Sequence, residues 1–352
     1  MDGNPIHSLL FMKKVYLELT NRCNLNCIMC YRNSWDTTLG DMNEETLQRL
    51  KSMLDPSVGL VFGGIGEPTF GKHFSYAIEL FKNHSLELTT NGVLSDKTLD
   101  LVCKYFDNVI ISVDGTEETY YHIRKTDFKH VYKTLDYIKN YKKVNRVKTP
   151  QIEFAFVLSK KNKESLYSVI ETANFYDVKR VLVSHLMPQN EEQTKDIYYD
   201  EHFHEEGRKF ANEIGNFAYF KNRVVVSFPY MEIKTDRICH FVENDYTYID
   251  FKGDVVPCYR FATTYKEFVF GREKTVKKHS FGNINERSLQ SIFEDPLYQD
   301  FRHAVRYALH PSCVDCELRD GCDYIETSEY DCSGFSPSCA DCLWNRKIIR
   351  CT

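Results

Sequence analysis

The chain has 352 residues, of which 42% are hydrophobic and 14% aromatic, enough for one large core and a second domain. Its formal net charge is −5, and Lys142-Lys143 and Lys277-Lys278 are too short to form a basic stripe, so nucleic-acid binding is not favoured. No apolar stretch reaches the length of a membrane span, and Met1–Lys14 lacks the charged leader and long apolar block of a signal peptide. Without such a leader, the 13 cysteines point to metal in a reducing cytoplasm rather than to disulfides.

The first strand-like run, Val15–Leu19, leads directly into Thr20-Asn21-Arg22-Cys23, with Cys27 and Cys30 following. The spacing C-x3-C-x2-C puts three thiols in one short loop. They can hold three irons of a [4Fe–4S] cube and leave the fourth open to a small molecule. Zinc fits poorly, because it usually takes four ligands, often as paired C-x2-C knuckles.

Strand candidates then recur at Val58–Phe62, Leu86–Thr90, Asn108–Val113, Gln151–Leu158 and Arg180–Ser184. Helix candidates alternate with them at Asn43–Leu54, His73–Asn83, Asp96–Tyr105, Tyr132–Tyr141 and Lys163–Tyr176. This alternation predicts an α/β fold with a parallel sheet and outer helices. Six β/α units fall short of the eight of a closed barrel.

Chemistry in such sheets gathers at the C-terminal strand ends. Strand two ends in Phe62-Gly63-Gly64-Ile65-Gly66-Glu67-Pro68, where glycines permit close backbone approach and Glu67 can accept from an ammonium group. Strand three ends in Thr90-Asn91-Gly92, a polar turn with Gly92 suited to positive φ. Strand four ends in Ser112-Val113-Asp114-Gly115. Alternation places Ser112 and Asp114 on one face, and Asp114 also suits a helix cap before Thr116. Strand six continues into His185-Leu186-Met187-Pro188. His185 is more readily a hydrogen-bonded structural residue than a substrate contact. Cys103 sits in a helical pattern as a small core residue.

The second half opens with a bridging helix over Asp196–Phe220 and a strand over Val224–Phe228. Cys239 and Cys258 bracket a hairpin with its turn at Lys252-Gly253-Asp254. An amphipathic helix is expected over Leu289–Tyr307, followed by Cys313-x2-Cys316-x5-Cys322, Cys332, Cys339-x2-Cys342 and Cys351. The expected domains are 14–190, a bridge over 191–235, and 236–352.

The cysteine loop, the Gly-Gly-x-Gly-Glu turn, Ser112 and Arg124 together resemble the radical S-adenosylmethionine (SAM) superfamily. Met29 departs from it, standing where the family usually has an aromatic residue. The later cysteines resemble the SPASM extension through Cys322. That pattern then expects another cysteine after three residues, where this chain has Glu326. The resemblance implies a partial (β/α)6 TIM-like barrel followed by a small cysteine-rich auxiliary domain. It also implies SAM on the open iron of a [4Fe–4S] cluster, and reductive cleavage to a 5′-deoxyadenosyl radical. Gly64, Gly66, Glu67, Asn91, Ser112, Asp114 and Arg124 would bind SAM, with Glu67 on its amino group and Ser112 and Arg124 on its ribose and carboxylate. Residues after strand six would flank the adenine.

The resemblance further implies one or two auxiliary [4Fe–4S] clusters. Setting aside Cys23, Cys27, Cys30 and Cys103 leaves Cys239, Cys258, Cys313, Cys316, Cys322, Cys332, Cys339, Cys342 and Cys351, against four thiolates per cube. The expected division gives Cys313, Cys316 and Cys322 a fourth ligand from the tail, and completes Cys239 and Cys258 with Cys332 and another tail cysteine. A zinc site at Cys339, Cys342 and Cys351 is the alternative. Tyr259 replaces the carboxylate base of the sulfatase-maturing branch, so that chemistry is not expected.

Two phrases, Leu17–Cys23 with Met29-Cys30-Tyr31-Arg32 and Cys339-Ala340-Asp341-Cys342-Leu343-Trp344, are similar to maturases of tungsten-cofactor oxidoreductases. The resemblance therefore implies an oxidative maturase acting on a peptide, protein or cofactor precursor. A low-potential donor such as flavodoxin or ferredoxin would supply electrons in an anaerobic cytoplasm. Ribosomal-peptide crosslinking or epimerisation, a non-enzymatic multi-cluster electron carrier, and molybdopterin-precursor chemistry are the alternatives.

Overall fold

The computed structural model describes residues 12–35 and 37–351. The first half alternates strand and helix: β1 (Lys14–Leu17), α1 (Glu44–Met53), β2 (Gly59–Phe62), α2 (Phe74–Phe81), β3 (Leu86–Thr90), α3 (Asp96–Tyr105), β4 (Asn108–Ser112), α4 (Glu117–Arg124), α5 (Lys129–Asn145), β5 (Gln151–Leu158), α6 (Ser165–Phe175) and β6 (Arg180–His185). Runs such as Val109-Ile110-Ile111 are buried throughout, as a sheet covered on both faces requires. Side-chain caps start α1 and α3: Asn43 accepts from the Thr46 N–H at 2.7 Å, and Ser95 from the Thr98 N–H at 3.2 Å. The helix α4 was not among the helix candidates, although the sequence suited a turn or helix cap before Thr116. It is short and buries only Tyr120 and Ile123, too little periodicity to read in sequence.

The connection to the second half is less helical than its sequence suggests. A single turn α7 (Glu191–Thr194) is followed by irregular chain in which Tyr198 and Tyr199 are buried. The helix α8 begins only at Glu205, runs to Asn216 and continues as a π-helical turn over Phe217–Asn222. Then come β7 (Val225–Ser227), α9 (His240–Glu243), β8 (Tyr246–Ile249), β9 (Asp254–Val256), β10 (Tyr265–Val269), β11 (Arg272–Val276) and β12 (Gly282–Asn283). The amphipathic stretch after residue 288 splits into α10 (Leu289–Phe293) and α11 (Pro296–Arg306). Pro296 has no N–H to continue the first helix, and Asp295 caps the second by accepting from the Leu297 N–H at 3.1 Å.

The strands form one ten-stranded sheet in the order β12-β9-β8-β1-β2-β3-β4-β5-β6-β7, and β10 and β11 form a separate hairpin. From β8 to β7 all neighbours are parallel. The expected hairpin is β8–β9, antiparallel with Ile249 opposite Val255. Its first strand also lies parallel to β1, Lys14 against Tyr246 and Leu17 against Ile249. The expected boundary near residue 236 thus falls in a loop but not at a break in the sheet. One core cluster runs from Val15 through Phe301 to Cys339 and Cys342. Among the described residues, no helix is long and apolar enough to cross a membrane.

Candidate functional site

A cavity of about 290 Å³ opens at the C-terminal ends of β1–β6. Cys23, Cys27 and Cys30 line one side of it. Their loop is pinned from beneath. The Gly40 N–H donates to Asn21 Oδ1 at 2.8 Å, the Ile28 N–H to the Ile123 carbonyl at 3.0 Å, and Asn33 Nδ2 to the Cys27 carbonyl at 3.0 Å. All three thiols are free. Burial pushes up the Cys23 thiol against the pull of the Leu25 N–H, and raises Cys27 against the charge of Arg124. Deprotonation therefore needs a compensating cation, which iron held by these thiols would supply.

The glycine turn after β2 is folded onto this loop. The Glu67 N–H donates to the Arg22 carbonyl at 2.8 Å. A Cβ on Gly66 would stand 2.2 Å from the Thr20 carbonyl oxygen, so only glycine fits. Gly64 has φ +124° and backs onto Glu18 and Tyr248.

Glu67 lines the cavity but is 2% exposed, and its carboxylate is engaged inside the protein. Oε1 accepts from Thr69 N at 3.2 Å, Thr69 Oγ1 at 2.6 Å and Thr90 Oγ1 at 2.9 Å. Oε2 accepts from the Asn91 N–H at 2.7 Å. Its geometry is that of a staple between the ends of β2 and β3. Asn91 in turn reaches the cysteine loop, donating from Nδ2 to Asn24 Oδ1 at 2.8 Å and standing 3.7 Å from Cys23 Sγ. Gly92 has φ +78°, as its turn predicted.

Ser112 and Arg124 line the cavity, but Asp114 does not. The direct ligand contact expected of Asp114, and the alternative of a cap before α4, both give way to a third arrangement. Its Oδ1 accepts from the Val157 N–H at 2.6 Å, and its Oδ2 pairs with the Arg124 guanidinium. Strand β4 ends at Ser112, so the alternation that aligned the two side chains stops before Asp114. Asp114 orients Arg124, whose Nη1 stands 3.8 Å from Cys27 Sγ.

The opposite wall is apolar, made by Phe156, Val157, Leu182, Leu186 and Met187, with Met29 across from it. His185 also lines the cavity; its Nε2 bonds the Tyr230 carbonyl at 3.1 Å. Burial lowers its pKa to about 3, so it stays neutral. Sequence reasoning gave no cavity role to Tyr259, Arg260, Trp344 and Arg350, which close the cavity from the C-terminal half. The only signal was Tyr259-Arg260 directly after Cys258.

A second, smaller cavity lies beyond that wall, lined by Cys239, Cys258, Cys339, Cys342 and Cys351. Burial raises all five thiols, Cys239 to about 11, and the charge of neighbouring thiolates adds to it at Cys239, Cys258, Cys339 and Cys351. Arg260 stands among them, paired at 2.6 Å with the buried Glu267. A third group gathers around Cys313, which is pushed up to about 12 by burial and by the charges of Asp341, Cys332 and Cys316. Cys322 belongs to it through one turn: the Arg319 N–H donates to the Cys316 carbonyl, and the Cys322 N–H to the Arg319 carbonyl. Cys332 lies within charge range of Cys313 and does not line the cavity of Cys239 and Cys258, beside which it was expected. It is placed by the adjacent Asp331, which bonds His310 Nδ1 at 2.9 Å and Ser338 Oγ at 3.0 Å. Cys339, Cys342 and Cys351 share a cavity with two further thiols and do not form a set of their own. Cys103 is buried in α3 with its thiol at about 12.

These donor sets fit iron–sulfur clusters. The thiols are soft and free, and two of the three groups line cavities. Among the described residues, no three His, Cys, Asp or Glu side chains are gathered to hold one metal ion.

Residues 17–166 match the family model described as the radical SAM superfamily, and residues 239–317 match SPASM, described as an iron–sulfur cluster-binding domain. The chain is 38% identical, over 97% of its length and 97% of the relative's, to a Pyrococcus furiosus protein named as a tungsten-containing aldehyde ferredoxin oxidoreductase cofactor-modifying protein. It is 26% identical, over 87% of its length and 64% of the relative's, to the subtilosin biosynthesis protein AlbA of Bacillus subtilis. Among solved structures, native anSMEcpe with bound AdoMet matches with a TM-score of 0.62 at 18% identity, covering 95% of each chain. Streptococcus suis SuiB bound to precursor peptide SuiA matches with a TM-score of 0.60 at 16% identity, covering 95% of this chain and 76% of that one. The chain belongs to the radical SAM superfamily and carries a SPASM domain: it is an enzyme that reductively cleaves SAM at a [4Fe–4S] cluster and holds auxiliary iron–sulfur clusters.

Proposed function

We propose that this enzyme matures a tungsten-cofactor oxidoreductase, acting on its cofactor or cofactor precursor. What supports the reading is identity at 38% along 97% of both chains to a relative named for that task. Cys23, Cys27 and Cys30 would hold the catalytic cluster. SAM bound there supplies hydrogen-atom abstraction once an electron arrives. Arg124, fixed by Asp114, would receive the SAM carboxylate, and Ser112 the ribose. The backbone of Gly64–Gly66 would approach the amino group, with Glu67 and Asn91 holding that turn against the loop. The apolar wall from Phe156 to Met187 would exclude water from the adenine side.

Cys313, Cys316, Cys322 and Cys332 would hold one auxiliary cluster, and four of the five thiols in the second cavity the other. A low-potential flavodoxin or ferredoxin would be the electron donor, in a cytoplasm poor in oxygen.

The test is anaerobic SAM cleavage by reconstituted protein with reductant, with and without the unprocessed oxidoreductase polypeptide and its cofactor precursor. Stimulated release of 5′-deoxyadenosine with that partner is expected, and modification of only a short ribosomal peptide would defeat the reading. Iron should number about twelve per chain and fall to about eight when Cys23, Cys27 and Cys30 are all alanine. A fall from about eight to about four would leave one auxiliary cluster.

A further inference from the structure

The second cavity holds one thiol too many. A cube takes four cysteine ligands, and five line this site. Cys339 and Cys342 share one turn, closed by the Cys342 N–H on the Cys339 carbonyl at 3.1 Å. Cys239 caps α9, and Cys258 directly follows β9 and Pro257. Cys351 differs from these four: it alone among the five lines the reaction cavity as well. Among the described residues, only Tyr259, Arg260 and Trp344 share that double placement, so these four residues stand between the two cavities.

The position of Cys351 is fixed from the barrel side. The neighbouring Arg350 N–H donates to Ser184 Oγ at 2.9 Å, near the end of β6, and Arg350 Nη1 to the Phe228 carbonyl at 2.7 Å. The residue is thus tied to the strand that carries the apolar wall, as a substrate-facing group would be. A ligand needs no such tether.

We propose that Cys351 is a free, hydrogen-atom-exchanging thiol of the reaction cavity and not a cluster ligand. The inference rests on the radical SAM reading. The step balances without an added electron or proton. The S–H bond of Cys351 breaks homolytically as a C–H bond forms at the carbon radical derived from SAM. The sulfur radical then takes a hydrogen atom from a substrate C–H and the thiol is restored. An S–H bond is weaker than a methyl C–H bond, so the first transfer runs downhill. The second needs a substrate C–H weakened by an adjacent heteroatom or carbonyl, which defines the substrate class.

The test uses anaerobic holoenzyme with SAM and dithionite in D₂O, without added thiol or substrate, where dithionite resets the sulfur. Deuterium is read in 5′-deoxyadenosine by mass spectrometry. Wild type should incorporate one deuterium, and C351S, whose O–H bond is too strong to donate, should lose at least five-fold of it. Iron is counted in parallel: C351A should keep about twelve irons per chain, and C342A should lose about four. Unchanged deuterium in C351S, or loss of about four irons in C351A, would overturn the proposal. Wild type that releases 5′-deoxyadenosine without deuterium defeats the Cys351 role alone, whereas no 5′-deoxyadenosine at all would defeat the radical reading.

Discussion

Asp114 sits fully buried beneath Arg124, paired to its guanidinium while also accepting from the Val157 N–H at 2.6 Å. The pair holds one cation between the end of β4 and the cysteine loop. Its removal should be read on SAM binding rather than on cluster content. D114N keeps the shape but leaves Arg124 without a counter-ion. SAM affinity should fall about tenfold, or about 1.4 kcal/mol. Iron content should stay at the wild-type value, because Arg124 stands beside Cys27 without ligating. Calorimetric SAM titration and iron analysis on the same sample check both.

Glu67 predicts a different split. Its carboxylate joins Thr69, Thr90 and Asn91, so E67A removes a cap and leaves buried hydroxyls and an N–H unpaired. The variant should lose about 1–3 kcal/mol of stability and also bind SAM more weakly. E67Q should recover part of both, since its amide oxygen can still accept from the Asn91 N–H. Denaturant midpoints and SAM titration on the two variants would separate them. Equal SAM affinity in E67A and wild type removes the turn from the binding site.

Gly66 and Gly59 form a matched test of close approach. An added Cβ at Gly66 meets the Thr20 carbonyl oxygen at 2.2 Å, whereas at Gly59 the nearest atom is the flexible Lys14 side chain at 3.7 Å. G66A must push the glycine turn off the cysteine loop, and should lose the about four irons of the catalytic cluster. G59A should keep them. Iron analysis and EPR on the two proteins decide it.

Glu18 sets a pH dependence. Burial, with the charge of Asp250 adding to it, raises this carboxyl from the ordinary 4.5 to about 7, although the Ile65 N–H donates to it at 3.0 Å. Between these values the folded chain holds a proton that the unfolded chain has released, so Glu18 makes stability fall as pH rises from 4.5 to about 7. E18Q should flatten this slope and be the more stable protein at about pH 8, by an amount of order 3 kcal/mol. Urea unfolding at about pH 5 and about pH 8 provides the comparison.

The six β/α units were legible because buried parallel strands are continuous apolar runs, and Leu86–Thr90 and Gln151–Leu158 emerge with the bounds read from sequence. The cysteine loop and glycine turn were legible because each is short and chemically marked. Asp114 was misplaced because strand periodicity ends two residues before it. The place of Cys332 near Cys313 was not legible, because it depends on Asp331 meeting His310, a contact between residues distant in sequence that no local pattern encodes. The pairing of β8 with β1 was hidden for the same reason.

That pairing carries a consequence for biogenesis. Strand β1 delivers the catalytic loop, yet one of its edges is satisfied only by Tyr246–Ile249, synthesised more than two hundred residues later. Until then the emerging barrel presents an open, flat row of N–H and C=O groups, the template on which chains pair with each other. That edge of β1 is therefore covered only once the cysteine-rich segment has been made, although Gly40, Glu67 and Ile123, which pin the catalytic loop, all precede it.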